Sequence, residues 1–196
     1  MISWVEPDSL RVFLFAGLLV HKLVWESLKR TSRSGSRVGR AHPPLSKRIV
    51  KSAKMFFLGF LMVQALFLEI LPLSQAPGYL QMSGTALFIL GFTMSIVARL
   101  QLGRNWTDLE DAKVLERHAL VTRGIYRYVR HPIYGGDLML LIGLELALNS
   151  WLVFLAVIPL VVVIKSVRRE EAQLAEAFNG YSAYVSQSKR FIPFVV

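Results

Sequence analysis

No cysteine occurs in the 196 residues. That absence excludes a disulfide framework and thiolate chemistry. It also leaves metal binding to histidines and carboxylates. His118 and His131 stand thirteen positions apart, with no HExxH-type spacing, so no metal site is read. No glycine-rich turn follows a predicted strand, which removes the Rossmann and phosphate-loop patterns. Acidic residues are sparse, 13 against 23 lysines and arginines, for a formal net charge of +10. Also missing is a basic leader ahead of the first apolar run, or a small-residue cleavage site after it. That run is therefore read as a span, not a secretory signal.

Apolar residues are abundant, at 54% of the chain. A soluble domain of this length could not bury so much apolar surface, whereas a membrane protein need not. A basic excess can mark a nucleic-acid binder. Here the charges lie between long apolar runs, the arrangement of loops held at an anionic leaflet, so no nucleic-acid partner is expected.

The runs predict an all-α, polytopic helical bundle with about five transmembrane helices. The first covers about Leu10 to Leu28 and is interrupted by Arg11, His21, Lys22 and Glu26. Lys22 and Glu26 are four apart and can pair on one helix face. The second covers Met55 to Leu73, with Glu69 its single charge, and the third covers Tyr79 to Ala98 with none. From Leu138 to Ile164 the only charge is Glu145. As one helix that stretch would reach roughly 40 Å, long for one span and short for two. Asn149-Ser150 sits inside it and favours a turn, which predicts a helical hairpin of Ile133 to Leu148 and Trp151 to Val167.

The positive charges agree. Segments 29–54, 99–130 and 165–190 hold 21 of the 23 lysines and arginines, and the connectors near Pro72–Gly78 and Asn149–Ser150 hold none. Five spans put all three basic segments on the cytoplasmic side and the N-terminus outside. The 29–54 segment, rich in Ser, Arg and Gly, reads as a solvated linker that touches membrane lipids.

Residues 99–137 combine tyrosines, paired basic residues, glycines and a His-Pro step. Pro132 favours the start of the fourth helix, placing His131, Ile133 and Tyr134 at its N-terminus. Exposed N–H groups there suit a carboxylate or phosphate. Tyr126 and Tyr134 offer faces for an adenine or a sulfonium cation. A basic interfacial loop would have the same composition.

The run from His118 through Gly124, Tyr126 and Arg130-His131-Pro132 to Tyr134 resembles the signature of isoprenylcysteine carboxyl methyltransferases. Phospholipid N-methyltransferases and small bacterial and archaeal membrane methyltransferases belong to the same wider group. Gly103-Arg104-Asn105-Trp106 resembles the group's lead into this segment. Glu170-Glu171, then Phe178 to Tyr184, then Arg190 to Pro193 resemble its C-terminal block. The likeness covers roughly 79–196 of one membrane methyltransferase domain, spanning 1–196. Residues 1–78 form two N-terminal spans and the basic linker.

The resemblance implies a methyltransferase in a bacterial or archaeal cell membrane that uses S-adenosyl-L-methionine without a Rossmann domain. Its methyl acceptor would be lipid-like or prenylated. Cofactor contacts would be His118, Ala119, Leu120, Val121, Tyr126, His131, Pro132, Ile133 and Tyr134. Glu170 falls near the acceptor. The arginine the family carries four residues earlier is Ser166 here, and Lys165, Arg168 or Arg169 are the candidates to replace it. Arg169 beside Glu170 is taken as the catalytic partner. The Phe178 to Tyr184 stretch is one residue shorter than the usual form. Carboxylate O-methylation, phospholipid amine N-methylation and small-thiol S-methylation remain open as subclasses. A non-enzymatic scaffold and a membrane reductase are the other classes.

Glu145 is a functional candidate because it is ionisable inside a span. Asp137 is expected to favour the dipole of the fourth helix. Gly84, Gly91 and Gly143 should permit close helix contact. Leu174, Phe178 and Tyr181 should share one face of a short amphipathic helix stopped by Gly180.

Overall fold

The computed structural model describes residues 2–33, 45–105 and 119–191. Most of them are helical. Helix α1 spans Ser9–Arg33, α2 Leu45–Phe67, α3 Gly78–Leu102, α4 Pro132–Ala147, α5 Val157–Ala177 and α6 Tyr181–Gln187. The expectation of helices alone needs one correction. Strands β1, Ile2–Trp4, and β2, Leu68–Ile70, pair antiparallel with Ser3 opposite Glu69. Glu69 thus lies just past the end of α2, not within a span.

Among the described residues three helical stretches are long and apolar enough to cross a membrane: Arg48–Phe67, Gly78–Leu102 and Trp151–Ala177. Only 11% to 28% of their apolar windows is buried inside the protein. Outward apolar surface of that extent is what a bilayer covers. The chain is an integral membrane protein. Helix α1 carries too many charges to join these three, and α4, at 16 residues, is short.

Arg11 interrupts the first apolar run for a local reason. Its guanidinium donates to the carbonyls of Gln64, Ala65 and Leu68 at 3.1 to 3.3 Å. The first two are acceptors in the last turn of α2, where intrahelical donors run out, and the third belongs to the first residue of β2.

Helices α3 and α4 pack antiparallel along a seam of small residues. A methyl group added at Gly143 would fall on the backbone of Gly84 and Phe88, and one at Gly91 on the backbone of Gly136 and Leu140. At Gly136 it would lie 2.7 Å from the Ser95 nitrogen. Gly84 and Gly91 are seven apart, as are Gly136 and Gly143, so each pair returns to one helix face. Without side chains the two backbones meet directly. Phe88, Leu140 and Leu144 flank the seam, and Leu14, Leu18, Leu61 and Ala65 from α1 and α2 complete the core.

The hairpin turn is where it was expected. Asn149 adopts φ 55°, a region asparagine tolerates. Its side chain accepts from the Ser74 nitrogen at 3.0 Å and donates to the Ser74 carbonyl at 2.8 Å. Ser150 caps the next turn by accepting from Leu152 N. Residues Trp151–Ala156 are 3-10 before α5 begins. The two connectors free of lysine and arginine are thereby locked together at one end of the bundle. Glu145 accepts from Gln64 Nε2 at 2.8 Å close to this end, tying α2 to α4.

Candidate active site

At the other end of the bundle the chain builds a cavity of about 460 Å³. One side is the segment before and into α4: Asn105, Ala119, Leu120, Val121, Tyr126, Arg130, His131, Pro132, Ile133 and Tyr134. Another is Glu170 and Leu174 of α5 with Phe178, Tyr181 and Tyr184. Residues of α1 and α2 close the remainder, among them Trp25 and Met55.

Local bonds hold the first side. Asn105 Oδ1 accepts from the Ala119 nitrogen at 2.9 Å. Gly124 takes φ 63°, where a side chain is strained and would also strike Gln101. Gln101 Oε1 then accepts from Ile125 N at 2.8 Å. The buried Tyr126 hydroxyl donates to the Ala98 carbonyl at 3.3 Å. The Tyr184 hydroxyl donates to the Tyr126 carbonyl at 2.6 Å. Burial pushes the Tyr184 hydroxyl up to about 12 and raises that of Tyr126 further, so both stay neutral donors at neutral pH.

The C-terminal block clamps this segment. Arg130 N donates to Lys189 O at 2.8 Å, His131 N to Arg190 O at 3.1 Å, and Lys189 N to Tyr128 O at 2.9 Å. These parallel bonds bring Arg190 to Glu171. Glu171 accepts from Arg130 Nε at 3.1 Å, from Arg190 Nε at 3.2 Å and from Arg190 Nη2 at 2.6 Å. His131 Nε2 lies 3.3 Å from the same carboxylate. Arg130 also donates to the Ser188 carbonyl. The hydrogen bond from Arg190 to Glu171 raises the guanidinium's pKa.

Glu170 points the other way. Its Oε2 accepts from the Tyr134 hydroxyl at 3.1 Å and lies 3.8 Å from His131 Nδ1. The two nitrogens of the buried His131 ring therefore each face a different carboxylate. Glu170 is partly exposed to the cavity; Glu171 is nearly covered.

The structure brings eight of the expected cofactor residues to one cavity: Ala119, Leu120, Val121, Tyr126, His131, Pro132, Ile133 and Tyr134. His118 lies outside the described residues, as do Trp106 and Pro193. Glu170 lines the same cavity. Arg169 does not: its side chain is exposed and is not among the lining residues. Successive helix residues point about 100° apart, so a neighbour of Glu170 is turned away from it. The arginines gathered here are Arg130 and Arg190, and their carboxylate is Glu171. The signal was present in the Glu-Glu pair and in Arg190, but nothing local distinguished the two glutamates.

Two smaller expectations are corrected. Asp137 lies beyond the first turn of α4 and pairs with His21 of α1 at 3.2 Å. The facing histidine holds it, not the helix dipole. Leu174, Phe178 and Tyr181 do not share one helix. Phe178 is extended, at φ −129° and ψ 109°, so α5 stops at Ala177, and Gly180 caps the start of α6. All three side chains still reach the cavity.

Comparison with known proteins agrees with this architecture. A family model described as phospholipid methyltransferase matches residues 80–180. Protein-S-isoprenylcysteine O-methyltransferase B of Arabidopsis thaliana is 30% identical over 115 residues, 57% of this chain and 58% of that protein. Protein-S-isoprenylcysteine O-methyltransferase of Schizosaccharomyces pombe is 29% identical over 121 residues, 59% of this chain and 50% of that protein. The matches thus span between half and three fifths of these relatives' own length. A solved eukaryotic intramembrane Ras methyltransferase, isoprenylcysteine carboxyl methyltransferase, superposes with a TM-score of 0.62 at 22% identity. That superposition covers 96% of this chain and 69% of the other and shows a common fold. The matched region runs from the first turn of α3 to the glycine ahead of α6, covers more than half of the chain and contains both His131 and Glu170, so the chain belongs to the phospholipid methyltransferase family.

Proposed function

We propose that the chain is a membrane methyltransferase that uses S-adenosyl-L-methionine to methylate a hydrophobic or lipid-like acceptor, in the manner of isoprenylcysteine carboxyl O-methylation. The observation that carries this reading is the convergence of Ala119–Val121, Tyr126, His131–Tyr134 and Glu170 on one cavity of about 460 Å³. That size lies within the range of small-molecule sites. The lining suits the methyl donor. Among the described residues the buried Tyr181 hydroxyl has no hydrogen-bond partner, and Tyr181 lines the cavity. A ligand with carboxylate, ammonium and adenine groups supplies partners for such a hydroxyl. Tyr126 and Tyr134 supply aromatic faces and Glu170 a negative charge for a cationic donor. When bound, the donor supplies an electrophilic methyl on a sulfonium centre. The chain's own task is positioning. Tyr134 orients Glu170, and His131 spaces Glu170 from the Glu171 cluster.

A carboxylate acceptor needs no base. An amine must arrive neutral, and Glu170 is then the group placed to take its proton. In this reading the chain has five spans and a cytoplasmic site; the placement of the basic segments and the α4–α5 hairpin, which returns Glu170 to the end that holds His131, support it. The named relatives are eukaryotic and lend no support to a bacterial or archaeal membrane.

Donor binding tests the assignment. Purified chain in neutral detergent is titrated with S-adenosyl-L-methionine and with its demethylated product. His131→Ala and Tyr134→Ala are each expected to weaken both affinities by about tenfold or more, the size expected on losing a buried polar contact. Unchanged affinity in both variants would remove these residues from the donor site. Labelled methyl donor with a lipid extract then identifies the acceptor by its product.

A further inference from the structure

A second carboxylate shares the cavity with Glu170. Asp137 lies on α4 three residues after Tyr134, so the two side chains share one helix face, and both line the cavity. The Asp137 side chain is 44% exposed and that of Glu170 40%. An ionisable group just past the first turn of an apolar helix is costly there and marks function by default. The Asp137 side chain has one bonded partner among the described residues, His21 of α1. His21 Nε2 lies 3.2 Å from Asp137 Oδ1 and 3.4 Å from Ser95 Oγ. Ser95 Oγ donates to the Gly91 carbonyl at 3.0 Å, so the ring nitrogen is the donor in both other contacts. The ring is stacked on Trp25, with centroids 4.6 Å apart, and Trp25 is itself cavity wall. A neutral ring with its proton on Nε2 satisfies all of these contacts. Asp137 then keeps its negative charge, with one oxygen held and the side chain half open to the cavity.

Neither Asp137 nor Glu170 is bonded to a lysine or arginine among the described residues, so the α4–α5 side of the cavity carries two negative charges. A wall of one sign concentrates ions of the other. The methyl donor and its demethylated product share an adenosine, an ammonium and a carboxylate. They differ in the methyl group and in the positive charge on sulfur. The lysines of α1 and α2 that line the cavity act on the shared carboxylate and so favour both ligands alike. A carboxylate beside the sulfur favours only the donor. Specificity is that difference between two affinities. We propose that Asp137, oriented by His21, reads the charge on sulfur: it favours the cationic donor over the product, and so favours replacement of product by donor after each transfer. This rests on the methyltransferase reading and deepens it. Asp137 is the binding residue and His21 its positioning residue.

The readout is the ratio of donor to product affinity. The full chain in neutral detergent is titrated with S-adenosyl-L-methionine, with S-adenosyl-L-homocysteine and with sinefungin, which carries an ammonium where the donor has its methylated sulfur. Asp137→Asn keeps the size of the side chain and removes its charge. It is expected to weaken the donor and sinefungin about fivefold and the product less than about twofold, the scale of a partly exposed charge pair. His21→Phe keeps a ring against Trp25 and loses the N–H, and the donor-to-product ratio should fall about threefold. His21→Gln supplies an N–H donor again and should recover most of that loss. A general defect in folding lowers all three affinities together and leaves the ratio where it was. An unchanged ratio in Asp137→Asn, or an equal fall for all three ligands, overturns the assignment and leaves the methyltransferase reading intact. If Asp137→Asn is not recovered folded, the two His21 variants decide: equal ratios in Phe and Gln overturn it as well. Failure of the unsubstituted chain to bind either donor or product would sink the methyltransferase reading instead.

Discussion

Gly143→Leu is expected to abolish recovery of a folded, monodisperse protein from detergent. The added side chain would fall on the backbone of Gly84 and Phe88, where no rotamer change can make room. Overpacking against flexible side chains costs typically 1–3 kcal/mol. Here backbone must move, so on the order of 3 kcal/mol or more is expected, a large part of a typical folding free energy. Helices α3 and α4 would separate, and the cavity segments attached to their ends would separate with them. Gly59→Leu is the matched control. Gly59 lies in α2 with nothing within 4 Å of an added Cβ, so its thermal transition should barely shift. Equal transitions for the two variants would show that α3 and α4 do not meet at this seam.

The second large effect is expected at Glu171. Glu171→Ala leaves Arg130, Arg190 and His131 without their shared acceptor. Removing one partner of a buried ion pair typically costs about 3–5 kcal/mol. Arg190 is partly exposed, so its share is screened and the lower end applies. The parallel bonds between residues 128–131 and 189–190 should loosen, and with them the position of His131. The expected readouts are a lowered thermal transition and loss of donor affinity by about a hundredfold. Glu171→Gln keeps an acceptor oxygen but loses the charge, and should fall between the parent and Glu171→Ala in both readouts. Glu170→Ala should behave differently. It removes only the Tyr134 bond and a longer contact to His131, so the thermal transition should hold while turnover falls. If the two alanine variants behave alike, the division between a clamp and a cavity carboxylate fails.

Much of the fold could be read along the chain. The third span was expected at Tyr79 to Ala98, and α3 runs Gly78–Leu102. The turn at Asn149-Ser150 followed from residues that favour a turn inside an overlong apolar stretch. Pro132 starts α4 because proline at the first helical position loses no hydrogen bond. These are local effects and need no partner. The expectations that failed concerned partners. Arg169 and Arg190 cannot be ranked as companions of a glutamate until helix α5 is rotated into place. Asp137 could not be paired with His21, 116 positions earlier. The lysines of α1 and α2 looked like ordinary positive charges at a membrane surface. That they share a cavity with Glu170 depends on how two helices lie against a third.

The sequence by itself determined that the chain lives in a membrane, where α3 and α4 begin, and which short segment is rich in chemical groups; the second span, expected over Met55 to Leu73, lies instead in α2, Leu45–Phe67, ahead of β2. Hydrophobic length, proline geometry and turn chemistry act within a few residues, so they survive in a linear text. The tertiary structure alone decided which of two adjacent glutamates faces the cavity and which is held by arginines. It also decided that α3 and α4 meet at backbone contact. Neighbours on a helix point about 100° apart, and only packing sets the rotation that chooses between them.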